Sequence, residues 1–303
     1  MNRKRKVLVL LLLLAAAVIA YILLGNYNDQ KSEEEAQAEE DSIIHVIDME
    51  DITGFSYTGA EDASMAFSKE DDTWVYDEDT EIPMNQDSVE SLAEALGNVE
   101  ASREFTEADD LADYGLATPT YTINVSNSDE ETQLLIGNSV DSSGEEYYLK
   151  LDTTDTVYTI PGTLVSSLVF DVTSLVQMEE IPTLSSDAIS KVTIAQGDSS
   201  NTYEADNEEQ AETFEDITTD LSIFYFYSCV SYNATEEELE GYGLGESGRT
   251  TVTVTYTDDD DQEQTYVLYI GDLDSSSTYR YVQVEGSTFV YEVTMSLITS
   301  LVN

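Results

Sequence analysis

The sequence predicts an α+β fold: two tandem repeated modules of antiparallel sheet with covering helices, preceded by one N-terminal transmembrane helix. Three observations predict it. Tyr114-Gly115-Leu116 and Tyr242-Gly243-Leu244 open similar successions of strands, short alternating apolar and polar runs recur between turn-forming clusters, and an apolar stretch follows a basic N-terminal tip. The first succession runs from Thr120 to Ser126, through Leu134-Leu135-Ile136-Gly137, Tyr147-Tyr148-Leu149 and Val157-Tyr158-Thr159-Ile160, to Leu168-Val169. The second runs from Thr251 to Tyr256, through Leu268-Tyr269-Ile270-Gly271, Tyr281-Val282 and Phe289 to Val293, to Leu301-Val302. Corresponding residues lie 128 apart at the tyrosines that open each run, 134 apart at Ile136 and Ile270, and 133 apart at Tyr158 and Tyr291. Such a period marks one unit used twice.

At the N-terminus, Arg3-Lys4-Arg5-Lys6 precede Val7 to Leu24, eighteen residues without a charge. That length crosses a bilayer as a helix. The basic flank places the N-terminus in the cytoplasm and the rest of the chain outside. A cleaved signal peptide shares these features, but the apolar run is long for a signal core and no small-x-small site follows Leu24, which favours an uncleaved signal anchor at the cell membrane. Residues 1–25 therefore read as cytoplasmic tip and anchor. Residues 26–42, with Glu33-Glu34-Glu35 and Glu39-Glu40, read as an acidic spacer that cannot bury a core.

The first module, 43–170, opens with strands Thr53 to Thr58, Ser64 to Ser68 and Thr73 to Tyr76, a small meander with Trp74 in its core. Val89, Leu92, Ala93, Leu96 and Val99 share one face of a helix from Asp87 to Val99. A short closing helix is expected from Gly162 to Phe170. The connector, 171–186, keeps Val172, Leu175 and Val176 and so can pack. The second module, 187–303, repeats the plan with strands Lys191 to Ala195 and Thr202 to Ala205, a helix from Glu208 to Leu221, and a strand from Phe224 to Ser231. It lacks a counterpart of Thr73-Trp74-Val75-Tyr76. Alternating strands with a few segregated helices define the α+β class.

Each Tyr-Gly-Leu has a structural reading. Thr106 and Asp109, and again Thr235 and Glu238, have capping-box spacing. Gly115 and Gly243 then fall where a left-handed residue ends a helix, with Leu116 and Leu244 placed for the accompanying apolar contact. Tyr114 and Tyr242 are the residues of this motif with a binding alternative.

The chain carries 11 basic and 63 acidic residues, a formal net charge of −52. Such a surface repels nucleic acid and excludes it as a partner. The single cysteine, Cys229, cannot form an intramolecular disulfide and sits in an apolar run, as a buried thiol. The single histidine, His45, reads as a strand residue. Asp258, Asp259, Asp260 and Asp261 are weak cation candidates, but a solvated turn between strands explains them better, since calcium needs several oxygens from a loop bent around it. Gly243-Leu244-Gly245-Glu246-Ser247-Gly248-Arg249-Thr250 satisfies G-x-G-x-x-G and nearly satisfies a P-loop. Both motifs need a strand before and a helix after, and here the order is reversed. No cofactor and no catalytic residue is assigned.

The order Ile52-Thr53-Gly54-Phe55, Asp72-Thr73-Trp74-Val75, the helix through Leu92 and Leu96, Tyr114-Gly115-Leu116-Ala117-Thr118-Pro119, Ile136-Gly137 and Val157-Tyr158 resembles the bacterial DUF4340 family. The second copy lacks the proline after Tyr-Gly-Leu. The resemblance implies a membrane-anchored extracytoplasmic protein, similar in context to components encoded beside ABC transporters of the gliding-motility type, and brings no catalytic residue. The expectation is a non-enzymatic binding or accessory protein with transporter subunits as partners and an unassigned ligand. The alternatives are an extracytoplasmic hydrolase of wall polymers or glycans, whose two carboxylates no feature singles out among 63 acids, and a structural spacer or surface adhesin.

Overall fold

The computed structural model describes residues 43–302 except 61, 62, 107 and 109. The expected anchor and spacer, and Asp109 of the first capping pair, lie outside the described residues. Among those described, no helix is long and apolar enough to cross a membrane.

The first elements are β1 (Ile44–Asp48), β2 (Gly54–Thr58), β3 (Ser64–Glu70), β4 (Thr73–Tyr76), helix α1 (Gln86–Gly97), β5 (Asn98–Ala101) and β6 (Arg103–Phe105). Strands β7 (Tyr121–Ser126), β8 (Glu131–Ser139), β9 (Glu146–Leu151) and β10 (Val157–Pro161) follow, then the one-turn helix α2 (Gly162–Ser166). The second half holds β11 (Ile189–Gln196), β12 (Ser199–Glu204), α3 (Ala211–Ser222), β13 (Ser228–Ser231), α4 (Glu236–Gly241), β14 (Thr250–Thr257), β15 (Glu263–Leu273), β16 (Tyr279–Val284) and β17 (Val290–Thr294). The class is α+β, with antiparallel sheet dominant and few helices.

The chain forms two compact units, each drawn from two stretches. Residues 43–52 and 94–166 hold the β1–β5 pair and a ladder in the order β7-β8-β9-β10-β6. Ile123, Val125, Leu134, Ile136, Leu149 and Ile160 are wholly buried there. Residues 53–93 and 167–302 hold the β2-β3-β4 meander and a seven-stranded sheet ordered β12-β11-β14-β15-β16-β17-β13. Val192, Val252, Val254, Leu268, Val282 and Val293 form its core. Each such aliphatic side chain contributes about 1.5–3 kcal/mol by leaving water. Compactness thus follows different boundaries from the sequence repeat, whose spans describe correspondence along the chain.

That correspondence is visible as topology. The order β7-β8-β9-β10-β6 matches β14-β15-β16-β17-β13 strand for strand. In the β2-β3-β4 meander β3 carries β4 as a further strand, whereas β12 ends its sheet. Trp74 in β4 is 2 % exposed. Its backbone N–H donates to Gln86 Oε1 at 2.7 Å and its carbonyl accepts from Gln86 Nε2 at 3.0 Å, so the first residue of α1 occupies the open side of the strand. Its indole N–H donates to Glu90 at 2.6 Å, and Lys69, paired with Glu90 at 2.8 Å, lies over the ring.

Four elements depart from expectation. Helix α1 stops at Gly97, and Val99, expected on its face, lies in β5. The closing helix stops at Ser166, not Phe170, because Phe170 turns to meet Tyr57 edge-on at 5.3 Å. Helix α3 starts three residues after Glu208, because Asn207 holds a turn by accepting from Glu209 N and Gln210 N. The strand expected from Phe224 begins only at Ser228: Ser228 faces Glu292, and β17 runs just to Thr294 before a 3-10 turn, leaving 224–226 little to pair with. The connector packs, with Leu175, Val176 and Leu184 buried.

Candidate functional site

The Tyr-Gly-Leu segments sit at the same joint in both ladders. Gly115 and Gly243 have φ of 73° and 70°, which an L side chain rarely adopts. In the second copy Thr235 and Glu238 cap α4 reciprocally. Leu244 N then donates to Leu239 O at 2.8 Å and Gly243 N to Glu240 O at 3.1 Å, the two bonds of a Schellman stop. In the first copy Leu116 N to Leu111 O and Gly115 N to Ala112 O make the same pair, although residues 111–117 form turns rather than an α-helix. Asp110 Oδ1 accepts from Ala112 N there.

Each turn lies on a bulged strand. Register slips by one residue between Ile136 and Ser139 of β8 and between Ile270 and Leu273 of β15. A bulge removes an amide from the ladder. The freed amides of Asn138 and Asp272 donate to Tyr114 O at 2.8 Å and Tyr242 O at 2.9 Å. Gly137 and Gly271 allow this approach, since a Cβ at either would collide with the tyrosine carbonyl. The tyrosine rings cover the next strand: Tyr114 meets Tyr148 at 4.9 Å, and Tyr242 meets Tyr281 at 4.7 Å. Tyr114, Gly115, Leu116 and Tyr242, Gly243, Leu244 thus have a complete structural role.

The second ladder adds rings of its own. From Ile223 to Tyr227, alternate side chains point in opposite directions. Phe224 and Phe226 are buried, with Phe226 stacked on Tyr291 at 4.0 Å, whereas Ile223, Tyr225 and Tyr227 are each more than half exposed. Tyr227 stacks on Tyr279 at 4.6 Å and 23°. Strand alternation puts Tyr279 and Tyr281 of β16 on one face with Glu292 of β17, which faces Tyr281. The Tyr279 phenol is pushed up to about 12, first by its hydrogen bond with Tyr227 and then by burial, with Glu292 and Asp274 adding to the shift. The sequence places Tyr227 only within a strand from Phe224 to Ser231 and assigns no role to Tyr279 or Glu292. The period-two pattern of 223–227 is the signal that could have found the rings.

The remaining candidates resolve locally. Asp258 closes the β14–β15 hairpin, accepting from Asp260 N, Gln262 N and Gln264 Nε2 at 2.8–3.0 Å, and these bonds hold its carboxyl below the usual range. Asp261 adopts φ 59° in the same turn. Among the described residues no group of three or more His, Cys, Asp or Glu is placed to hold a metal ion. The glycine-rich loop follows α4 and precedes β14, and with Glu236, Glu240, Glu246 and Arg249 it lines an open groove of about 640 Å³. Arg249 lies 3.5 Å over the Tyr269 ring rather than free in that groove. Cys229 is buried in β13, and burial pushes its thiol up to about 11. His45 is an exposed residue of β1.

Comparison with known proteins adds the family. The Domain of unknown function (DUF4340) matches residues 74–222 and again 216–303, the two matches meeting within α3. No curated protein and no solved structure matches the chain. With the doubled ladder covered by both matches, the chain belongs to the DUF4340 family.

Proposed function

We propose that this chain is a membrane-anchored extracytoplasmic protein that binds a partner without catalysing a reaction, an accessory component whose partner class is the subunits of an ABC transporter of the gliding-motility type. The observation that carries the reading is the ring surface of the second ladder. Ile223, Tyr225 and Tyr227 stand 55, 52 and 52 % exposed, alternating with the buried Phe224 and Phe226. Grouped apolar exposure beside a folded sheet marks an interaction surface, and tyrosine suits one because its ring is apolar and its hydroxyl is wet. The basic tip and apolar Val7 to Leu24 supply the anchor in this reading, and the acidic spacer gives the folded part its distance from the bilayer.

The test places a photo-crosslinking amino acid at Tyr225 in the full-length protein within its native membrane. Transporter subunits should be captured in near-equal amount to the protein, and Tyr227→Ala should cut the yield. Capture of no membrane protein, or of wall fragments alone, would overturn the accessory reading and favour polymer binding.

A further inference from the structure

Strand register equates the two ladders residue by residue. Arg103, Thr159 and Tyr148 face one another across β6, β10 and β9, and Ser228, Glu292 and Tyr281 do so across β13, β17 and β16. Two residues before each tyrosine stand Glu146 and Tyr279. In the first copy, Arg103 Nη2 meets Glu146 Oε2 at 2.6 Å beside the Tyr114–Tyr148 pair. The position is filled by the chain's own guanidinium and carboxylate.

In the second copy the arginine is replaced by Ser228 and the carboxylate moves to Glu292, which accepts from Ser228 Oγ at 2.8 Å. Tyr279 stands where Glu146 was, with Tyr227 stacked on it. Arg280, the basic residue of β16, points to the opposite sheet face and donates to Gly271 O. Among the described residues no ion pair reaches Glu292. Asp274 adds a second carboxylate at the rim, ionised because Ser276, Thr278 and Tyr279 amides donate to it.

We propose that Tyr227, Tyr279 and Glu292 form a docking site for an arginine side chain on a basic segment of a partner protein. This rests on the binding reading above and names its chemistry. A planar guanidinium stacks on an aromatic face while its edge meets a carboxylate, which a lysine ammonium does less well. A neutral sugar would use the rings and could donate hydroxyls to the carboxylate, but it carries no positive charge to pair with it. The first ladder already shows arginine at the matching register.

The test titrates full-length protein, with tyrosine rings isotope-labelled for NMR, with acetyl-Gly-Arg-Gly-Arg-Gly-amide and its citrulline counterpart, the neutral isostere. The arginine peptide should shift the Tyr227 and Tyr279 resonances and bind at least roughly fivefold tighter than the citrulline peptide. Tyr227→Ala or Glu292→Gln should each weaken it by roughly fivefold, and Glu236→Gln, at the remote groove, should leave it unchanged. Ser228→Arg, which restores the first copy's residue at an edge-strand position, should block the site. Equal binding of both peptides, insensitivity to Tyr227→Ala and Glu292→Gln, or perturbation of these rings by chitohexaose but not by the arginine peptide would each overturn the proposal. If position 225 captures a transporter subunit while the arginine peptide leaves the rings untouched, the arginine assignment alone falls. If neither occurs, both readings fall.

Discussion

The two ladders share their middle and differ at their ends. The β2-β3-β4 meander closes on β4 with Trp74 and a glutamine clamp, whereas β12 ends the seven-stranded sheet with five of its six residues exposed. Gln210 reaches that strand by one bond only, Nε2 to Thr202 O at 3.3 Å. At the other end the order reverses: Glu104 of β6 is exposed, while its counterpart Cys229 is buried beside the 3-10 turn at Val172–Leu175. Repeats that keep a common joint can therefore spend their edges on different tasks. Where β4 is present its edge completes a core, whereas β6 is left exposed, and in the second copy the exposed rings stand beside the packed β13 edge.

The largest expected effects lie where the copies differ. Trp74→Ala removes a large side chain from a packed site and should cost about 3–5 kcal/mol in chemical denaturation. Asn201→Ala on β12 should stay within about 0.5 kcal/mol. Equal losses would break the contrast between covered and open edges. Exchanging the other edge's residues sharpens it: Cys229→Glu buries an unpaired carboxylate and should cost about 3–5 kcal/mol, while Glu104→Cys should be close to neutral. With its thiol pushed up to about 11, Cys229 should also alkylate slowly at pH 8 in the folded protein and rapidly once unfolded.

Where the copies agree, substitutions should act in parallel. Gly137→Ala and Gly271→Ala each force a Cβ into a tyrosine carbonyl, and each should cost roughly 1–3 kcal/mol. A neutral result at one of them would show that the joint is not shared.

The smallest effect concerns the loop between β8 and β9 and its counterpart between β15 and β16. Asp141 and Asp274 occupy the same place. Hydrogen bonds from Ser143 lower the Asp141 carboxyl, and bonds from Ser276, Tyr279 and Thr278 hold that of Asp274 at about 2. Both lie below their unfolded value of about 3.9. Their stabilisation is complete above that value and is lost as pH falls through the folded value. The gap in stability between wild type and Asp274→Asn should therefore be full at pH 6 and close toward pH 2. The same experiment at Asp141 should give a gap of the same sign that also closes as pH falls. A gap that is constant with pH would rule out the carboxylate as its source.

Much of this was legible in the sequence because it is local or periodic. Spacing exposes the repeat, Gly243 after a capped acidic turn announces a helix stop, and Val89, Leu92 and Leu96 mark a buried helix face. The missing counterpart of Thr73-Trp74-Val75-Tyr76 matches the sheet that ends at β12. What stayed hidden depends on register. Gln86 looks like any solvent-facing residue at a helix start until it is seen closing on Trp74. Glu292 is one of 63 acids, and only pairing across three strands sets it opposite Ser228 where the first copy has Arg103. The strand ends at Phe224 and the helix end at Phe170 were missed because distant partners, β17 and Tyr57, decided them.

The bonds from Asn138 to Tyr114 and from Asp272 to Tyr242 have an evolutionary consequence. A strand that loses its bulge leaves a carbonyl with no donor, and a turn that loses its glycine leaves an amide with no acceptor. Neither half of the joint can drift alone, so mutation in a lineage is steered away from it and toward the edges, where new surfaces can arise without disturbing the fold.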